Sequence, residues 1–252
     1  MKPIALQLYT VRDLCQEDFA GTIKKVADIG YKGVEFAGLH NMTAKEVRAL
    51  LDDLGLQVSS AHAAMPTADN AAQLIEEAKT LGNPRLISGF GPDDVKTIAQ
   101  CKAAAERLNA AVAALEGSRL QFGIHNHWWE FETVEGQLPH DILLAEAPGV
   151  FAEIDVYWAQ FGGCDAAEQV ARKKDRAPVL HIKDGPLIPG QPQPHTAVGA
   201  GKMDIPAVIN AADPNVLKWL IVELDSCATD MMQAAIDSYR YLTEQGLAAG
   251  SK

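Results

Sequence analysis

Residues 149–156 read GVFAEIDV, with Ala152 and Ile154 alternating against Glu153 and Asp155. A helical-period segment precedes the stretch at about 138–146 and another follows at about 163–174. Working outward, the same unit recurs eight times: a short apolar run, a polar or Gly-containing turn, then a longer helical stretch. The other strand candidates are IALQLY (4–9), KGVEF (32–36), QVSSAH (57–62), PRLISG (84–89), LQFGIHNH (120–127), PVLHIK (178–183) and LKWLIVEL (217–224). The remaining helical stretches fall at about 16–29, 43–54, 68–81, 92–116, 204–211 and 228–245. Strict alternation implies a parallel sheet. Eight units within about 225 residues imply closure as one α/β domain, a (β/α)₈ barrel over 1–252, rather than an open doubly wound sheet. The first strand–helix turn has no G-x-G-x-x-G, which weakens a dinucleotide-binding fold further.

Local signals agree. Thr43 before AKEVRALL, with Glu46 three residues on, reads as a capping box. Gly30, Gly55 and Gly82 follow helical runs where a left-handed C-cap is needed. Asp204 and Thr229 are N-cap candidates. One connection is long: residues 184–203, DGPLIPGQPQPHTAVGAGKM, rich in Gly and Pro, read as a lid loop after strand 7.

The composition narrows the function classes. The chain has 252 residues, with 22 Lys plus Arg against 33 Asp plus Glu, a net charge of −11. That balance repels phosphate backbones and anionic membranes, so neither nucleic acid nor membrane is an expected partner, whereas it suits a protein holding a cation. Cys15, Cys101, Cys164 and Cys227 are scattered, which reads as free thiols rather than a disulfide frame or thiolate zinc site. MKPIALQLYTVRD reaches charged residues too soon for a secretory leader, and no apolar run approaches membrane-spanning length, so a cytoplasmic location is expected.

Side chains alternate along a strand, so in a barrel the apolar parity faces the helices and the other faces inward. This sends Gln7, Tyr9, Glu35, His125, His127, Glu153, Asp155, His181, Lys183 and Glu223 inward, near the C-terminal strand ends where barrel active sites are built. Strand 3 is less clear: His62 shares the parity of Val58, unless it already lies in the following loop. A lone carboxylate or histidine would be an ordinary polar group. Carboxylates and imidazoles converging from four adjacent strands are costly to desolvate unless a cation neutralises them. Oxygen and imidazole donors without thiolate suit one divalent Mn, Mg, Co, Fe or Zn ion. Asp155, His181 and Glu223 are the firmest ligands. The strand-5 ligand is either His125 or Glu130, which would have to fold back from the following loop.

The segments HNHWWEF (125–131), EIDVYWA (153–159), HIKD (181–184), VGAGKMDIPAV (198–208) and IVELDSC (221–227) resemble, in order, those of the xylose-isomerase-like barrels. That group, often called sugar phosphate isomerase/epimerase, includes tagatose and psicose epimerases and inosose dehydratase, and the resemblance covers almost the whole chain. It implies one metal held by two Glu, one Asp and one His. Asp155, His181 and Glu223 take three of those roles. Where many members carry Glu-Asn-His, this chain has His125-Asn126-His127, and members with an HNHxxEF segment imply Glu130 as the fourth ligand. The epimerases tend to carry an Arg shortly after the strand-7 His. Lys183 stands here instead, as in inosose-dehydratase-like members.

The implied chemistry is proton abstraction next to a carbonyl of a sugar or polyol substrate. Glu130 or Glu223 would act as ligand and base, and Lys183 as donor to a developing oxyanion or departing hydroxyl. His62, His125, His127 and Glu35 would contact hydroxyls, with Tyr9, Trp128, Trp129 and Trp158 as walls. Isomerase or epimerase is the leading expectation. A dehydratase or 3-keto-glycoside lyase using the same enediolate chemistry is the alternative, and a non-catalytic sugar-binding barrel is the alternative from another class. The superfamily also contains a zinc endonuclease acting on abasic DNA, which the acidic charge disfavours. VGAGKM follows a loop rather than a strand, so no phosphate cradle is expected. Homo-oligomers are common among such barrels.

Overall fold

In the computed structural model, all 252 residues are described. Eight parallel strands alternate with helices: β1 (Lys2–Gln7), β2 (Gly33–Phe36), β3 (Gln57–His62), β4 (Arg85–Ser88), β5 (Gln121–His125), β6 (Phe151–Asp155), β7 (Val179–Ile182) and β8 (Trp219–Val222). Strand β1 pairs with both β2 and β8, which closes the ring. The (β/α)₈ barrel expected from the eightfold rhythm is therefore the fold. A ninth strand, β9 (Ala248–Ala249), pairs with the start of β1. Two alanines carry no period, so nothing in the sequence announced it.

The helices are α1 (Arg12–Glu17), α2 (Phe19–Ile29), α3 (Ala44–Leu54), α4 (Ala71–Leu81), α5 (Ile98–Ala114), α6 (Pro139–Glu146), α7 (Val156–Phe161), α8 (Ala166–Lys173), α9 (Ile205–Ala211) and α10 (Met231–Glu244). The single helix expected at 16–29 is two, because Asp18 leaves helical geometry and its carboxylate caps Gly21 N–H at 2.9 Å. Thr43 and Glu46 form the expected capping box. Asp204 caps α9, while Asp230, not Thr229, caps α10 by accepting from Gln233 N–H.

The two parities separate as barrel geometry requires. Ile4, Leu6, Val34, Ile154, Leu180, Ile182, Leu220 and Val222 join the apolar layer under the helices. A smaller apolar cluster of Ala5, Ile87, Phe151, Val179, Trp219 and Ile221 fills the barrel itself. Gly123 has inward parity on β5, and a Cβ there would overlap the Phe151 ring, so the missing side chain makes room for this plug. Two residues further along the same strands, the inward positions turn ionisable: Glu153 follows Phe151, His181 follows Val179, and Glu223 follows Ile221. The polar layer therefore sits on an apolar floor at the C-terminal end of the barrel.

The long connection after β7 is gathered by one carboxylate. Asp184 Oδ1 accepts from Gly185 and Met203 N–H at 2.8 and 3.0 Å, and Oδ2 accepts from Gly199 and Gly201 N–H at 3.0 and 3.1 Å. All four cysteines are free. No helix is long and apolar enough to cross a membrane.

Candidate functional site

Strand ends deliver most of the inward set to one place. His125 ends β5, Asp155 ends β6, His62 ends β3, and Lys183 and Glu223 lie one residue past β7 and β8. Register holds them level, with His125 beside Glu153 and Asp155 beside His181. Asn126, not singled out from the sequence, locks two of these ends together. Its Oδ1 accepts from Asp155 N–H at 3.0 Å and its Nδ2 donates to Asp155 C=O at 3.1 Å. Asp155 is also the N-cap of α7, its Oδ1 accepting from Trp158 N–H at 2.9 Å, which leaves Oδ2 facing the barrel axis.

Two groups of potential metal donors share His181, each with its ligand atoms within 4.8 Å of one another. In the first, His125, Asp155, His181 and Glu223 converge. His125 Nε2 lies 3.5 Å from Asp155 Oδ2 and 3.8 Å from Glu223 Oε2, and His181 Nδ1 lies 2.8 Å from Glu223 Oε2. In the second, Glu35, His62, Glu153 and His181 form a deeper network. His181 Nε2 is 2.6 Å from Glu35 Oε1, and His62 Nε2 is 2.7 Å from Glu153 Oε2. Gln7 Nε2 and Ser60 Oγ donate to Glu35 as well.

The first group fits a divalent ion. His125 Nε2 is buried and makes no hydrogen bond, a costly arrangement that an ion would relieve, while Asp155 Oδ2 has Lys183 Nζ beside it. The donors are two imidazoles and two carboxylates with no thiolate, a set for borderline or hard divalent metals.

Lys183 reaches the same carboxylates. Its Nζ is 2.8 Å from Asp155 Oδ2, 2.9 Å from Glu223 Oε2 and 2.9 Å from Asp225 Oδ2. Burial disfavours the ammonium, but these three carboxylates outweigh it and hold its pKa well above the usual lysine value. Burial likewise opposes ionisation of Asp155 and Glu223, yet Lys183 and the neighbouring histidines hold both below the ordinary carboxylate range. Glu153 stays ionised against burial through His181 and His62, whereas burial and the Glu153 charge raise Glu35.

Glu130 is not brought into the group. The chain turns back at Trp129–Phe131, and Glu130 Oε2 accepts from His127 N–H at 2.9 Å. Its Oε1 is buried without a partner, and burial pushes the carboxyl pKa up to about 8. Of the two residues that the sequence left open, His125, at the strand end, lies with Asp155, His181 and Glu223, and Glu130 lies outside the group. His127 also leaves the inward set. With β5 ending at His125, it lies in the turn and stacks on Trp129 with ring centroids 4.2 Å apart. Burial lowers its pKa to about 3, so it is neutral near pH 7.

Tyr9 is displaced for a similar reason. Strand β1 stops at Gln7, and Tyr9 sits in a 3₁₀ turn, 42% exposed, under the Arg12 guanidinium. Trp158 is buried against Asp225, Nε1 donating to Oδ2 at 3.2 Å, with Lys183 Nζ 5.3 Å from its ring. Asp225 and His195 were not anticipated. Asp225 lies past the readable strand, and His195 reaches the site only through the long connection, its Nδ1 accepting from Asp225 N–H at 3.1 Å.

The comparisons with known proteins can be set beside this geometry. The family profile described as xylose isomerase-like TIM barrel matches residues 23–245. The chain belongs to that family. No curated protein matches it. Among solved structures, this xylose isomerase-like barrel is similar to a sugar phosphate isomerase/epimerase from Parabacteroides distasonis, at 24% identity and TM-score 0.80, covering 99% of this chain and 100% of that one. It is similar to the probable 3-DHS dehydratase AsbF from Bacillus anthracis, at 12% identity and TM-score 0.75, covering 96% and 98%. A third is the IOLI protein with a bound zinc atom, at 14% identity and TM-score 0.76, covering 98% of each chain. These likenesses are of fold.

Proposed function

We propose that this xylose isomerase-like barrel is a divalent-metal-dependent isomerase or epimerase that moves a proton on the carbon next to a carbonyl of a keto-sugar or similar polyol. The convergence of His125, Asp155, His181 and Glu223, with His125 Nε2 buried and unpartnered, carries the reading. Zinc bound by the IOLI protein on the same fold supports it. When bound, the ion supplies Lewis-acid polarisation of carbonyl and hydroxyl oxygens.

The chain's own residues supply the rest. Glu223, held ionised beside Lys183, is placed to take a proton. Lys183, kept protonated by its three carboxylates, is placed to donate a hydrogen bond to oxygen as negative charge develops there. The His62–Glu153 pair offers a second acid–base group, and the His62 side chain, 28% exposed, is the member open to substrate. Trp158 stands as a wall for the apolar face of a sugar ring. His195, Asp225 and the 184–203 segment form the covering side.

Lys183 favours a second reading. A buried ammonium among three carboxylates can protonate a departing hydroxyl, so elimination, as in a dehydratase or 3-keto-glycoside lyase, uses the same groups. The fold likeness to AsbF runs in the same direction.

Elemental analysis of protein purified without added metal, with the Glu223→Ala variant beside it, tests the core of the proposal. About one equivalent of divalent metal in the wild type and a loss in the variant are expected, followed by solvent deuterium exchange into keto-sugars, inososes or 3-keto-glycosides. No metal in either protein, and none taken up on soaking, leaves a binding barrel without this chemistry.

A further inference from the structure

Three cationic side chains are buried in this protein: Arg85, Lys173 and Lys183. Lys173 has Asp141 at 2.7 Å, and Lys183 has its three carboxylates. Arg85 has none within 4.0 Å, and burial alone lowers its pKa. A buried charge is normally paired, so an unpaired guanidinium is a feature requiring a partner.

Arg85 opens β4, and with Leu86 in the outer apolar layer it has inward parity at the N-terminal mouth of the barrel, the end opposite the candidate metal centre. Its Nη1 donates to Ser59 C=O at 3.0 Å, while Nε is buried without a partner. Arg85 and Lys218 together border two clefts. One, of about 720 Å³, also takes in Arg48 and Trp219; the other, of about 320 Å³, takes in Arg176. Arg48 is engaged by Asp52 at 2.7 Å, and Arg176 donates to the carbonyls of Leu144, Ala147 and Val150. Lys218 donates to Asn215 C=O, with no acid partner. The only acids lining the clefts are Asp52 and Asp175. On a chain of net charge −11, this mouth is a local basic site.

We propose that the N-terminal mouth of the barrel binds a phosphate group, with Arg85 and Lys218 as its cationic partners. Arg85 and Lys218, neither of them paired with an acid, match the charge of a dianion. The site is separate from the proposed reaction centre and does not depend on that reading.

The test is calorimetric titration with inorganic phosphate at constant ionic strength, on metal-stripped protein, with Trp219 fluorescence followed in parallel. Saturable binding is expected, weakened about tenfold in Lys218→Gln and lost in Arg85→Gln. Lys218 is exposed, so its variant keeps the test valid should Arg85→Gln fail to fold. Glycerol phosphate in a second titration separates the sources: tighter binding than inorganic phosphate points to a phosphate ester, and equal or weaker binding to the free ion. No saturable binding up to about 10 mM phosphate, tenfold above a Kd of about 1 mM, or binding unchanged in Lys218→Gln, overturns the proposal.

Discussion

Nε2 of His181 stands 2.6 Å from Oε1 of Glu35, on the side of the imidazole away from Glu223. A metal-binding histidine commonly gives its second ring nitrogen to a carboxylate, which fixes tautomer and ring angle. Glu35 is held in place by hydrogen bonds from Gln7 and Ser60. Glu35→Gln keeps the shape and removes the charge. Metal affinity is expected to fall about 10- to 100-fold, measured by competition with a chelator. Unchanged affinity means that the contact does not orient His181.

Lys183→Met removes the ammonium shared by Asp155, Glu223 and Asp225. Turnover is expected to fall at least about 100-fold, while metal uptake persists. The uncompensated carboxylates should lower the melting temperature by several degrees in chelator, and divalent metal should restore it. Equal melting with and without metal would show that the ion does not sit among these carboxylates.

Glu130 gives a pH signature. Its folded pKa is raised by burial from an ordinary 4.5 to about 8. Below pH 4.5 both folded and unfolded chains carry the proton. Between 4.5 and 8 only the folded chain does, so stability falls as pH rises across that window and levels off above it. Glu130→Gln removes this slope. The melting temperature of the variant minus that of the wild type should grow from pH 5 to pH 8, and a flat difference contradicts the burial of a protonated carboxyl.

Asp184 gathers four backbone N–H groups from the connection after β7. Asp184→Ala leaves all four without that acceptor, at a cost of about 3 kcal/mol or more before the segment relaxes. Limited proteolysis should then cut within residues 186–202 before the barrel unfolds, and KM for substrate should rise more than kcat falls. Wild-type protease resistance in the variant would show that the segment is held by other contacts.

Period and parity carried the fold and much of the candidate site. Glu153, Asp155, His181 and Glu223 were readable as inward residues because each alternates with helix-facing apolar neighbours on a regular strand. The reading failed where strands ended early. Tyr9 and His127 kept inward parity on paper, but β1 stops at Gln7 and β5 at His125. Beyond those points the two-residue period no longer governs direction. Residues past strand 8 or inside the long connection, such as Asp225 and His195, offered no period at all.

By itself, the sequence determined the barrel, its polar C-terminal layer and the donor types there, because alternation along a strand is a local property. Only the tertiary structure decided that His125 rather than Glu130 joins Asp155, His181 and Glu223, and that Arg85 is left without an acid. Those outcomes depend on where a strand stops and which side chains neighbouring strands bring within a few ångströms, and pairing across a closed barrel is set by distant residues.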